Sequence, residues 1–348
     1  DAKAADTPEK RRGVGIAWGG FNVTEGGGDS AEVALELMPG NKIRKYDTWH
    51  AMGQGATTGS LVVTLEALKE MHLTPEDIQL IQNDTKTCPD TGMAGASRSL
   101  YMDGNATIIA ANKLLAAMRK EDGTLRTYDE MKAEGIETKY LGRYETNTTP
   151  GLCRLDPNTG IGDPTPAFTY CLNLAEVEVD TKTGKTTVLK FTCVDFVGRI
   201  GNIDAVNGQA YSGIMHGIGF ALKEDYADVK KHANMFGAGT SYIKDVPDDI
   251  DLIHIDGAIS DGPFGSSGAS EAFQASGHCA VLNGIYNACG VRIHEIPALP
   301  EKVKAGLDAI AKGEKPDEPK KYFLGSDMYE ELENIKENPV QVGTQSFY

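Results

Sequence analysis

Apolar residues alternate with small or polar ones over Gly13–Trp18 and run almost unbroken through Ala31–Leu37, which predicts two strands separated by the loop NVTEGGGDS. Over Thr57–Met71 the period changes. Leu61, Val62, Leu65 and Leu68 recur at helical spacing, so a helix is expected there. Thr74-Pro75-Glu76-Asp77 supplies an N-cap, a proline at the first helical position and acids in the first turn, so a short helical turn should feed a strand at Ile78–Gln82. A long helix is predicted from Ser97 to Arg119. Residues 120–170, rich in Gly, Thr, Asn and Pro, predict a polar excursion with one strand near Thr138–Tyr144. The clearest hairpin joins Leu174–Val179 to Thr186–Asp195 through TKTGK, with Gly184 providing the positive φ. Further helices are expected at Gln209–Leu222, Ala269–Ala288 and Pro300–Ala311.

Strands and helices mix without regular βαβ alternation, so the predicted fold class is α+β. The chain has 348 residues, enough for about two domains and a substantial core. Residues 1–12 (DAKAADTPEKRR) read as a solvated tail or linker, 13–312 as the folded region and 313–348 as a charged, proline-bearing tail. The start lacks an initiator Met and reads as that of a processed product, a fragment or the continuation of an upstream domain. No apolar run reaches membrane-spanning length and no signal-peptide core is present, so a cytoplasmic location without a membrane partner is the expectation. A net charge of −16 without a basic block opposes nucleic acid as a partner. The 40 glycines favour a loop-rich enzyme over a helical bundle. Six scattered cysteines without CxxC read as reduced, mostly buried thiols, so neither a metal ligand set nor an iron–sulfur cluster is expected on this chain. No GxGxxG follows a strand and no GxxxxGK[ST] occurs, which disfavours the common nucleotide sites.

Candidate chemistry gathers in loops of small residues that open helices. Asp261–His278 reads DGPFGSSGASEAFQASGH, a glycine- and serine-rich turn running into one carboxylate, Glu271, placed as a general base would be. His50–Thr57 sets Gln54 between Gly53 and Gly55, followed by Ala56. Pro89–Ser99 ends in Gly95, Ala96, Ser97, Arg98 and Ser99, a set able to hold phosphate oxygens. Asn207-Gly208-Gln209 repeats the Gly-Gln pattern at another expected helix start. Each is singly an ordinary glycine-rich loop. Four together point to one extended anionic cofactor gripped by several helix N-termini. Ser266 and Ser267 lie outside any GxSxG elbow, which makes a serine hydrolase a poor alternative. His216 and His278 fall on helical stretches and are expected to pack rather than catalyse. His50 lies near the Gln54 loop.

Taken in order, GQGA before a helix, GxxxGASRS, a Gly-Gln helix start and PFGSSGASE resemble the molybdenum hydroxylase (xanthine oxidase) family. The likeness is to its bacterial aldehyde oxidoreductase branch and extends from Gly13 through ACGVRIHEIPALPEKVKAGLDA. The resemblance implies the molybdopterin-binding fold of aldehyde oxidases and xanthine dehydrogenases, with two intertwined subdomains. This chain is similar to the C-terminal half of the molybdenum region. It implies molybdopterin cytosine dinucleotide as cofactor. The partners implied are the first half of the molybdenum region and the domains or subunits that carry 2Fe-2S clusters, in an oligomer. In that family a water-derived Mo–OH attacks an electrophilic carbon, hydride passes to Mo=S, and the assisting glutamate falls on Glu271. Gln54 matches the glutamine beside the apical oxo ligand, with Gly53, Gly55 and Ala56 around it. Gly95, Ala96, Ser97, Arg98 and Ser99 match the stretch that holds the pterin dinucleotide, Gln209 matches a second glutamine, and Phe21 matches an aromatic pocket wall. Two departures concern the substrate pocket: Ser270 stands where other members have Gly, and Ala272-Phe273 where Leu-Pro is frequent. The implied reaction is oxidation of an aldehyde to a carboxylic acid. Hydroxylation of an aromatic N-heterocycle such as a purine or nicotinate, and a non-catalytic assembly subunit, are the alternatives.

Overall fold

The computed structural model describes residues 2–24, 28–82, 84–146, 156, 158–162, 165–314, 333–334 and 336–338. Cys153 and nearly all of the expected C-terminal tail lie outside the described residues. Two four-stranded sheets organise the chain, and the backbone passes from one to the other and back. The first sheet has the order β1-β6-β7-β8, comprising β1 (Lys10–Val23), β6 (Ala167–Asp180), β7 (Thr186–Phe196) and β8 (Asp249–His254). The second, inserted between β1 and β6, has the order β4-β3-β2-β5, with β2 (Ser30–Met38), β3 (Lys42–Asp47), β4 (Ile78–Gln82) and β5 (Lys139–Glu145). Two lobes that share one chain in this A-B-A manner are the intertwined subdomains expected from the resemblance.

Each lobe covers one face of its sheet. In the second lobe α1 (Ala56–Ala67), α2 (Arg98–Met118) and α3 (Tyr128–Ala133) enclose a core that includes Leu35, Leu37, Ile43, Leu114 and Met118. In the first lobe α4 (Ile203–Leu222), α5 (Ser270–Gln274), α6 (Gly277–Cys289) and α7 (Pro300–Ala311) bury Val177, Phe191, Ile214, Phe273 and Val281. Burial of each such side chain contributes roughly 1.5–3 kcal/mol. The approach of α6 to β1 depends on a missing side chain, because a Cβ on Gly15 would stand 2.0 Å from the Ala280 carbonyl oxygen. At that distance Asn283 donates to the Ile16 carbonyl (3.0 Å) and Asn287 accepts from the Val14 amide (3.1 Å), so the helix satisfies the free edge of β1.

The structure moves several expected boundaries. β1 starts at Lys10, which pairs with Asp180, so the last residues of the expected tail are strand. The Ala269–Ala288 stretch is two helices. The break comes at Ser276, whose hydroxyl accepts from Asn173 of β6 (3.0 Å). α4 begins at Ile203 because the Asn202 side chain caps it, accepting from the Ala205 amide at 2.9 Å. The excursion at 120–170 contains α3, opened by a Thr127–Glu130 capping box. The cysteines among the described residues are free, with Cys171 and Cys193 buried side by side.

A buried charge cluster ties the second lobe together. Lys45 of β3 lies between Asp103 of α2 at 2.6 Å and Asp47 at 3.2 Å, all three inaccessible to solvent. Asp47 also accepts from Ser60 of α1 and from the Gln82 amide of β4, each at 2.7 Å. Burial, only partly offset by Lys45, pushes the Asp103 carboxyl up from 3.8 to about 6. Folding therefore favours the protonated form, and this group's contribution to stability is full below its ordinary pKa and lost as pH rises through about 6. Asp103→Asn, which removes the titration, should become more stable relative to the parent as pH is raised from about 4 to 7. Urea unfolding across that range measures it, and a constant difference would contradict the assignment.

Candidate active site

The two lobes meet around a cavity of about 600 Å³, within the usual range for small-molecule sites. Its walls come from four places in the sequence: the Gln54 loop with α1, the Ser97 loop with α2, the segment from Val197 into α4, and Phe264–Glu271. Gly53 and Gly55 are left-handed at φ 101° and 85°, which lets the Gln54 loop fold back on itself. The Gln54 side chain is locked within that fold. Its amide nitrogen donates to the His50 carbonyl (2.7 Å) and its oxygen accepts from the Met52 amide (2.6 Å), leaving one N–H for the cavity.

Ala96 and Ser97 are both left-handed, at φ 50° and 49°, a conformation uncommon for residues with a Cβ. Arg98 holds them there. Its five N–H donors reach both oxygens of Asp29 and the carbonyls of Thr91, Met93 and Ser30, at 2.7 to 3.0 Å. The guanidinium is thus committed inside the protein and faces away from the cavity. This corrects the expectation that Arg98 offers its side chain to a phosphate; its role is to shape the loop. The Thr24 hydroxyl donates to the same Asp29.

Glu271 sits in the first turn of α5 and lines the cavity. The Ser97 hydroxyl donates to Glu271 Oε2 and accepts from the Glu271 amide at 3.4 Å, which bridges the two lobes. Contact this close requires a glycine nearby: a Cβ on Gly268 would stand 1.8 Å from the Ser97 carbonyl oxygen. Gly268→Ala should therefore push the Glu271 loop off the Ser97 loop and cost about 1–3 kcal/mol, read as a lower thermal midpoint. An unchanged midpoint would show that the loops are not in contact.

Gln209 lines the same cavity from the second turn of α4 rather than from a helix start, because Asn202 begins the helix earlier than the Gly-Gln pattern indicated. Its Oε1 accepts from the Ser270 hydroxyl at 2.8 Å, which leaves the amide nitrogen for the cavity. Gly55, Ala56, Gly95 and Ser99 also line it, while Gly53 and Ala96 support the loops from behind. Phe21 is not among the lining residues; it lies on the helix-covered face of β1 opposite Thr169. One charged lining residue escaped the sequence reading. Arg199 is the only Lys or Arg in the wall, and its guanidinium makes no hydrogen bond or ion pair among the described residues. The Ser267 hydroxyl is buried and, among the described residues, has no partner. Arg199 carried no recognisable motif, whereas Ser267 lies within PFGSSGASE. His216 packs on Phe220 at 6.0 Å and His278 has an unpartnered, buried Nδ1, whose burial lowers its pKa. His254, not singled out in the sequence, bridges Asp195 and Asn207 at 2.8 Å each and fixes α4 to β8.

Among the described residues several donors thus face the cavity without acceptors: the Gln209 amide, Arg199, and the N-termini of α1 and α2, neither capped by a side chain. Residues 1–247 match the family model described as a molybdopterin cofactor-binding domain. The chain belongs to that family. It is 40% identical over 308 residues to the aldehyde oxidoreductase of Megalodesulfovibrio gigas, covering 88% of this chain and 34% of that protein. The solved aldehyde oxidoreductase from Desulfovibrio desulfuricans is similar at a TM-score of 0.84 and 43% identity, over 87% of this chain and 33% of that one. A probable hypoxanthine oxidase of Escherichia coli is 28% identical over 277 residues, which is 75% of this chain and 29% of the relative. The chain spans about a third of the length of the aldehyde oxidoreductases it matches. The residues present suit the family's cofactor, because the unmatched donors call for an oxygen-rich, anionic ligand. Among the described residues no group of three or more His, Cys, Asp or Glu is placed to hold a metal ion.

Proposed function

We propose that this chain forms the cofactor-binding and base-bearing part of a molybdenum hydroxylase that oxidises an aldehyde to a carboxylic acid, with molybdopterin cytosine dinucleotide as cofactor. The observation that carries the reading is Glu271, fixed by Ser97 across the lobe junction, with no hydrogen bond to Oε1 among the described residues, on the wall of a donor-lined cavity. The net reaction is RCHO + H2O → RCOOH + 2 H+ + 2 e−. When bound, the cofactor supplies the two-electron oxidising centre. Glu271 takes up the proton of the water-derived oxygen that becomes part of the acid, and the Ser97 hydrogen bond holds the other carboxylate oxygen still. Gln54, Gln209 and the amides that open α1 and α2 orient the cofactor's oxygens, and Arg199 balances charge at the rim. In this reading residues 13–312 are the second half of the family's molybdenum region. The first half and the 2Fe-2S clusters that carry electrons away belong to a partner segment or chain.

The hypoxanthine oxidase relative favours a second reading, hydroxylation of a purine-type heterocycle at the same site. One experiment addresses both. The intact complex should contain stoichiometric molybdenum, release CMP on acid hydrolysis, and show a higher kcat/KM for aldehydes than for purines. Absence of molybdenum and CMP would overturn the cofactor assignment, and a preference for purines would select the second reading.

A further inference from the structure

Among the described residues the sheet of the first lobe is covered by helices on one face only, and its other face has two unlike halves. Near the start of β1 it is an ordinary solvated surface. Lys10 and Arg12 pair with Glu178 at 2.6 and 3.1 Å, and Lys190 pairs with Asp249 and Asp251 at 3.2 and 2.7 Å. Further along, the same face turns apolar. Register sets Trp18 beside Leu172, Leu172 beside Val194, and Val194 beside Ile253, a row that crosses all four strands. Tyr170 extends it, stacked on Trp18 with ring centroids 5.6 Å apart. Trp18 is 66% exposed and Ile253 51%. Solvated sheet faces alternate with polar residues, and a continuous apolar band of this width marks a contact surface.

The band has a direction. It occupies the end of β7 from which the chain runs on into the cavity wall at Val197 and Arg199. Among the described residues the wall offers an anionic cofactor one cation, in a chain of net charge −16. Aldehyde oxidoreductases of the family are about three times as long as this sequence, which covers 33–34% of them. We infer that the apolar half of this face is the docking surface for the part of the family's polypeptide that this sequence does not span. The docked part presents an apolar layer to the Trp18–Ile253 row and carries basic or hydrogen-bonding groups over the cavity rim, completing the cofactor site. The inference rests on the family assignment and the cofactor, and does not depend on the substrate.

The test uses the intact native enzyme and the two tryptophans as internal gauges. Trp49 is 6% exposed and Trp18 66% in this chain. Under hydroxyl-radical footprinting read by mass spectrometry, Trp18 should be oxidised as slowly as Trp49; oxidation several-fold faster would overturn the inference. Photoreactive p-benzoylphenylalanine in place of Ile16 should cross-link to peptides outside these 348 residues. A cross-link confined to this sequence, in the same copy or a second one, would equally overturn it. Neither readout needs molybdenum or turnover, so the outcome is separable from that of the proposed reaction.

Discussion

Glu271→Gln is expected to lower kcat by about 10²–10⁴-fold, with KM and molybdenum content little changed. The amide is nearly isosteric with the carboxylate, and its oxygen can still accept the Ser97 hydroxyl that links α5 to the Ser97 loop. What it loses is the ability to take up a proton at pH 7. A loss confined to kcat therefore isolates base catalysis from folding and cofactor retention. The alternative of a non-catalytic assembly subunit requires full turnover in the same variant, so the experiment separates the two without ambiguity. Ser97→Ala should give a smaller loss, since it frees the carboxylate to rotate without removing it.

Lys45→Met should destabilise the second lobe by about 3–5 kcal/mol, because it leaves Asp47 and Asp103 buried without their shared cation. Methionine fills nearly the same volume, so the cost is electrostatic rather than a cavity. Urea unfolding at neutral pH measures it. Adding Asp103→Asn to Lys45→Met should recover part of the loss, since one uncompensated carboxylate is then removed. A strictly additive double variant would show that the three groups do not act as a unit. Because Asp47 also binds Ser60 of α1 and Gln82 of β4, the damage should spread to β4 and to α1, whose N-terminus lines the cavity.

Local signals were sufficient for much of the fold. The hairpin around Gly184, the strands β2 and β4, and the helices α1, α2 and α7 follow from apolar period and turn chemistry close in sequence. β3 was missed because KIRKYD carries a lysine whose burial is decided by Asp103 on another element. β8 was missed although DIDLIH alternates, since its partner β7 lies far earlier in the chain and pairs in parallel. The single helix expected at Ala269–Ala288 breaks where Ser276 meets Asn173, a bond that periodicity does not encode.

For the site, the chain alone determined which loops come to line the cavity, because glycines that permit left-handed turns, a lone carboxylate and amide side chains are local properties of short segments. Only the tertiary structure decided where those side chains go. Arg98 has the composition of a phosphate ligand, yet Asp29, 69 residues earlier, takes its guanidinium inward. Arg199, marked by no motif, is left on the cavity wall. The Glu271 carboxylate is held in place because Gly268 lets Ser97, 174 residues away, come within hydrogen-bonding reach. Backbone conformation is set over a few residues, whereas the partner of a charged or hydroxyl group is set by whichever distant segment packs beside it.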